Sequence, residues 1–268
     1  MIQKRVNSLI LCFFENLSRF KEIQHFISTR VGGCSSSPYE SLNLGFRVGD
    51  KPEKVLKNRE RLALALRIPL ENFTFANQVH GDNVKIVTKE LKGRGSLDYG
   101  DAIEETDAMI TNVPGICLTI LVADCVPILF FDYKKKAIGV AHAGWRGTIL
   151  GIAKRTIEML EKAFGCSPST IYVGIGPSIG PCCYDVGLDV ALQFKNIYDR
   201  KICFKGSNNK IYCNLWEANR MQLIEAGVPE ENIEIAKICT SCNSRYFFSE
   251  RKEKGKTGRF GAGIMLKH

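Results

Sequence analysis

The apolar run LTILVADCVPILFF (118–131) is interrupted once, by Asp124 and Cys125, with Pro127 close behind. Short apolar runs bounded by a break predict buried strands. Pro127 disfavours helix for its predecessor and marks the break. Residues 116–123, 127–132 and 136–142 therefore read as three successive strands in the middle of the chain. Leu9 to Phe14 and His25 to Thr29 read as earlier strands. FTFANQVH and NVKIVT read as two more, split by the turn signal Gly81-Asp82. The Gly- and Ser-rich stretch 29–45 and residues 90–104 read as loops.

Helical spacing appears four times. GDKPEKVLKNRERLALALRI opens with Asp50 and Glu53 at capping-box spacing and carries Val55, Leu56, Leu62, Leu64 and Leu66. Residues 148–165 place Ile149, Ile152, Ala153, Ile157, Leu160 and Phe164 on one face, with Thr148 able to cap the start and Gly165 the end. VGLDVALQFKNIY and NLWEANRMQLIEAG give two further helices. TIYVGIGPSIG reads as a strand entering a glycine loop, and NIEIAKICT and RFGAGIMLK as closing strands. Several strands follow one another without helices, so the order is mixed α/β and not a regular doubly wound sheet. No repeat, low-complexity tract or linker divides the chain, so residues 1–268 are expected to form a single domain.

Composition narrows the class. At 268 residues, 45% hydrophobic and 24% charged, the chain is an ordinary globular sequence with length for a sizeable core. The net charge is +9, which admits anionic partners. Its lysines are scattered, however, and the densest basic stretch, 249–259, is broken by Glu250 and Glu253. Nothing interleaves aromatic with basic residues, so solubility and small phosphate-bearing substrates are favoured over nucleic acid. No segment has the length of a membrane span, and Leu9 to Phe14 is too short for a secretory core. A cytoplasmic protein, monomer or homodimer, is expected. The eleven cysteines include the adjacent pair Cys182-Cys183. Without a secretory signal they are expected to be reduced.

Three soft or borderline donors sit where the chain leaves predicted strands: His80 before Gly81, His142 before Gly144, and Cys125 at the break. Two imidazoles and a thiolate suit zinc, with a fourth position left for water. His25 and His268 read as incidental. Asp124 has three readings: a proton acceptor during catalysis, an acceptor orienting a ligand imidazole, or a turn cap. Cys125 and His142 also admit a thiolate–imidazole hydrolase pair, a cysteine deamidase for example. HAGWRGT (142–148) leads into a helix and offers N–H groups and Arg146 as an anion cradle. The single C-x-x-C at 239–242 has redox or half-zinc spacing. With no second pair suitably spaced, it reads as structural or pocket lining.

SLNLGFRVGD, NQVHGDNV, DAMITNVPGICLTILVADCVPILFFD, GVAHAGWRGT, GIGPSIGPCCYDV and FFSERKEKGKTGRF together resemble the YfiH-type family, also called the laccase-domain or multicopper polyphenol oxidase family. The resemblance runs from about residue 26 to residue 262. It implies a four-layer α-β-β-α sandwich with mixed sheets. It also implies one zinc ion per chain, held by His80, Cys125 and His142. The implied activity is phosphorolysis of adenosine, inosine, guanosine and S-methyl-5'-thioadenosine with inorganic phosphate as co-substrate, and deamination of adenosine. Asp124 and Cys125 are then the candidate catalytic residues, and Asn43, Arg59 and Arg146 the candidate substrate-binding ones. A single copper could occupy such a site, with phenol oxidation as the result. Four histidines in the whole chain are too few for a coupled copper cluster.

Overall fold

The interrupted run is where the chain changes sheets. The structure, a computed structural model, describes residues 1–198 and 202–268. One six-stranded sheet contains β1 (Ile2–Val6), β2 (Leu9–Phe13), β3 (Ile23–Ser28), β4 (Phe73–Phe75), β7 (Cys117–Val122) and β15 (Phe260–Leu266), ordered β1-β2-β3-β15-β7-β4. The other contains β5 (Val84–Ile86), β6 (Ala108–Thr111), β8 (Val126–Asp132), β9 (Ala137–Ala143), β10 (Ile171–Ile175) and β14 (Ile233–Ile235), ordered β14-β10-β8-β9-β6-β5. Both are mixed: β4–β7, β5–β6 and β10–β14 pair parallel, the remaining neighbours antiparallel. A three-stranded ribbon, β11 (Asp185–Val186), β12 (Cys203–Lys205) and β13 (Ile211–Cys213), lies apart from them.

Alternation along the strands builds the layers. In β7, Leu118, Ile120 and Val122 face Leu129 and Phe131 of β8 and Ile138 and Val140 of β9, forming the core between the sheets. The opposite faces are also covered. Cys117, Phe26, Phe73 and Phe75 pack under Leu62, Ala63 and Leu66 of helix α2 (Pro52–Leu66). Ile128, Phe130 and Ala141 pack under Ile152, Ile157 and Leu160 of α4 (Ile152–Phe164), with α5 (Leu188–Ile197) and α6 (Leu215–Glu225) alongside. The result is the expected α-β-β-α order. Strands covered on both sides need apolar residues at every position, which is why β8 and β9 are buried from end to end.

Local details depart from the sequence expectations for identifiable reasons. The predicted helix at 148–165 is two helices, α3 (Trp145–Ile149) and α4, separated by Gly151 at φ 83°. Glycine holds that left-handed conformation without a Cβ penalty, so Thr148 lies inside α3 instead of capping a helix. Asp50 does not cap α2. Pro52 starts the helix, and the Asp50 carboxylate accepts from Lys51 N–H and Asn43 Nδ2 instead. Pro127 does not end a strand: it is the second residue of β8, opposite His142, and its carbonyl accepts Gly176 N–H at 2.8 Å. The break itself is Ala123 to Cys125, with Asp124 at φ 95°. FTF and VKI, read as neighbouring strands, belong to different sheets. The N-terminal strand β1 and the four-residue helix α1 (Glu15–Ser18) had no sequence expectation. Against the expectation of reduced thiols, Cys203 and Cys213 are joined in a disulfide across β12 and β13.

Candidate metal centre

Three chain ends converge at the rim where the two sheets meet. His142 is near the end of β9, Cys125 follows the turn out of β7, and His80 sits in the turn before β5. Their ligand atoms all lie within 4.8 Å of one another. The two imidazole rings meet edge to face with centroids 4.8 Å apart. Gly144 closes one side. A Cβ there would stand 3.0 Å from Cys125 Sγ and 3.1 Å from a His80 ring carbon, so only a residue without a side chain lets the backbone pass behind these two side chains.

One carboxylate organises both histidines. Asp107, fully buried immediately before β6, accepts His142 Nδ1–H at 2.8 Å. It also accepts the backbone N–H groups of Val79, His80 and Gly81 at 3.1, 3.0 and 2.7 Å. Those three donors wrap a turn around the anion and hold His80 at φ 63°. The bond to Nδ1 fixes the His142 tautomer and leaves Nε2 for a ligand. Burial raises the Asp107 carboxyl, but the His142 bond and the turn N–H groups outweigh it and leave it lowered.

Cys125 has its own anchor. Asp124 accepts Thr240 Oγ1–H at 2.6 Å with one oxygen and Arg251 N–H at 2.7 Å with the other. Both oxygens are thereby committed to holding the Cys125 turn against two distant loops. Burial would raise the Cys125 thiol, yet the facing imidazoles, His142 foremost, draw it down to about 6. Burial would lower His142, yet the Cys125 thiolate and Asp107 lift it to about 9. A thiolate and an imidazolium in contact, with a second imidazole beside them, form a donor set from which a cation displaces the proton.

The donors fit zinc: two nitrogens and one sulfur with a side open to a cavity are the three-ligand arrangement that leaves a fourth position. They do not fit a coupled copper cluster. Of the other two histidines, His25 is buried in β3, where desolvation lowers it to about 4 and its Nε2 accepts Phe14 N–H. His268 lies beside Gly115.

The cavity holds about 610 Å³. His80, Cys125, His142 and Asp124 form one end. Gly45 to Val48, Tyr99, Ile179, Glu250, Arg251 and Arg259 form the rest, with Gln78 and the β7 end between. Arg47 donates to Tyr99 Oη at 2.8 Å and to Asn77 at 3.2 Å. Arg259 pairs with Glu250 at 2.8 Å. Arg251 donates to Asp185 at 2.7 Å and to the Cys183 carbonyl at 3.2 Å.

The sequence-predicted substrate contacts lie elsewhere. Asn43 is buried and fastens the loop below the cavity, donating to Gly45 O and Asp50 and accepting Gly45 and Arg259 N–H. Arg59 is 2% exposed; it donates to the carbonyls of Leu44, Gly95 and Ser96 and lies over the Phe46 and Phe75 rings. It positions Phe46 from behind. Arg59→Lys keeps the charge but not the planar fork, and is expected to cost about 2–3 kcal/mol of stability. Urea unfolding measures that loss. Arg146 is exposed, stacks on Trp145, and is not in the cavity wall.

The sequence reasoning did not single out Asp107, Arg47, Arg251 or Arg259. Each lies in, or one residue from, a motif quoted above, but nothing in the order of residues shows which way their side chains turn.

The family model described as multi-copper polyphenol oxidoreductase laccase matches residues 24–267. The chain is 41% identical over 241 residues to purine nucleoside phosphorylase YlmD of Geobacillus stearothermophilus, spanning 89% of this chain and 88% of that one. It is 32% identical over 248 residues to adenosine deaminase RL5 of an unknown prokaryotic organism, spanning 91% and 94%. The crystal structure of YlmD from Geobacillus stearothermophilus matches with a TM-score of 0.93 at 38% identity, covering 99% of this chain and 98% of that one.

Proposed function

The chain belongs to the YfiH-type, laccase-domain family, and from that premise we propose that it is a zinc-dependent purine nucleoside enzyme. It phosphorolyses adenosine, inosine, guanosine and S-methyl-5'-thioadenosine, and it deaminates adenosine in the same cavity. The observation that carries the reading is the convergence of His80, Cys125 and His142 at one end of a cavity whose walls bear three arginines. The names of the relatives support the nucleoside class.

His80, Cys125 and His142 hold the cation, and Asp107 keeps His142 turned toward it. Bound zinc supplies Lewis acidity and lowers the pKa of water. The flat faces of Phe46 and Tyr99 suit a purine ring. Arg47, Arg251 and Arg259 bring positive charge where inorganic phosphate must be aimed at C1′ of the ribose. Phosphorolysis forms the C1′–O bond and breaks the C1′–N9 bond, and the departing base takes up a proton. Deamination replaces the C6 amino group by oxygen from water and releases ammonia, which also needs a proton. Among the described residues of the cavity wall, the Glu250 carboxylate, paired with Arg259 and not tied to backbone N–H groups, is placed to relay that proton, taking it from the attacking water or from phosphate and passing it to the leaving group. Asp124 acts as a positioning residue, because Thr240 and Arg251 occupy its oxygens.

A second reading rests on one specific observation: Cys125, His142 and Asp107 stand in the order of nucleophile, base and orienting acid. Chelation separates the two, since a cysteine hydrolase keeps its activity without metal. For the main reading, zinc-loaded protein is incubated with adenosine and phosphate. Adenine with ribose-1-phosphate, and inosine with ammonia, are the expected products. Absence of turnover with every purine nucleoside would overturn the reading.

A further inference from the structure

Four cysteines outside the cavity meet on two loops. Cys182 and Cys183 lie in the turn beyond β10, and Cys239 and Cys242 follow β14. Sequence gave the C-x-x-C no partner pair; the fold supplies one from 60 residues away. All four sulfurs lie within 4.8 Å of one another. Cys182 and Cys183 stand 3.6 and 3.4 Å from Cys242.

These separations distinguish two chemistries. A disulfide needs about 2.05 Å between sulfurs. Four thiolates around zinc, each about 2.3 Å from it, sit about 3.8 Å apart along the tetrahedron's edges. The cluster has the spacing of the second. Its backbone is already set: Ser178 and Cys239 form a bridge, Thr240 N–H donates to Ser178 O at 3.0 Å, and Gly180 N–H donates to Cys239 Sγ at 3.2 Å. Cys239 is buried and Cys182 and Cys242 are exposed, so the site closes at the surface with protein ligands alone.

We propose that Cys182, Cys183, Cys239 and Cys242 bind a second zinc ion in a closed, tetrahedral structural site. It staples the 178–184 loop to the 239–243 turn. Both segments bear on the cavity: Thr240 donates to Asp124, and the Cys183 carbonyl accepts Arg251. The second ion thus supports the wall that carries the Cys125 turn. The site rests on its own sulfurs and is independent of the nucleoside reading.

The test is zinc content per chain, measured by elemental analysis on protein purified without chelator. Wild type is expected to carry two equivalents. Cys125→Ala is expected to retain one, and Cys125→Ala combined with Cys182→Ser and Cys242→Ser none. Cobalt substitution in Cys125→Ala should give the visible bands of a tetrahedral thiolate site, lost in the combined variant. If the combined variant does not fold, iodoacetamide mapping of Cys125→Ala decides. The four cysteines should be protected until chelator is added. The proposal is overturned by metal-free Cys125→Ala with the four thiols freely alkylated, by mapped disulfides among them, or by copper in place of zinc.

Discussion

Cys125→Ala, His80→Ala and His142→Ala are each expected to lower zinc affinity at the cavity by about 10²–10³-fold. A four-ligand zinc site in a small domain is worth roughly 10–16 kcal/mol at neutral pH, so one ligand contributes roughly 3–4 kcal/mol. Nucleoside turnover should fall at least in parallel, because the remaining donors hold the ion too weakly to keep it at working concentrations. His80 is exposed on a turn held by its backbone, so His80→Ala should lose metal while the stability of the metal-free protein stays near wild type. That variant separates the chemistry from the fold. Competition against a chelating dye reads the affinity, and kcat/KM for adenosine reads the consequence. An unchanged affinity in all three variants would remove these residues as ligands.

Asp107→Asn carries the second large effect. Four N–H donors converge on its two oxygens, and an amide can accept at only one of its two atoms. The NH2 group would face donors on the other side. Both the charge and half the acceptors are lost in a fully buried position, which is expected to cost about 2–4 kcal/mol of stability. His142 also loses the partner that fixes its tautomer, and zinc affinity should drop a further 10–100-fold relative to wild type. Asp124→Asn tests the contrast. It loosens the Cys125 turn and the Arg251 loop but leaves both imidazoles oriented, so its zinc affinity should fall less than that of Asp107→Asn. Equal losses in the two variants would show that Asp107 has no special part in orienting ligands.

What the sequence made legible was what local order encodes. The three donors stood out because each lies at a strand end, where an apolar pattern stops and a polar side chain has no core reason to be. The helices α2, α4 and α6 followed from apolar spacing, and their packing followed from that. Asp107 has the same local signature as a turn cap, an acid just before an apolar strand, and only the arrival of residues 79–81 and 142 in space gives it its role. Asn43 and Arg59 lie in the right region but point into the protein, and the direction of a polar side chain in or near a glycine-rich loop is not written in composition. Arg251 and Arg259 reach the cavity because the C-terminal segment folds back over the 43–48 loop: Arg259 N–H and Asn43 are joined across 216 residues. The cysteine cluster was hidden for the same reason. Gly151 shows a finer limit, since a glycine within helical spacing does not announce whether the helix tolerates it or stops.

LTILVADCVPILFF has a physical reason for its flaw. The chain leaves one sheet at Val122 and enters the other at Val126, and the three residues between carry the proposed metal donor Cys125 and the acid that anchors its turn.

The most direct measurement of the central claim is adenosine turnover by protein stripped of metal, before and after zinc is returned, in wild type and in Cys125→Ala. Zinc-free wild type is expected to be inactive and to recover with added zinc, while Cys125→Ala stays inactive throughout. Full nucleoside turnover by zinc-free wild-type protein would contradict the account.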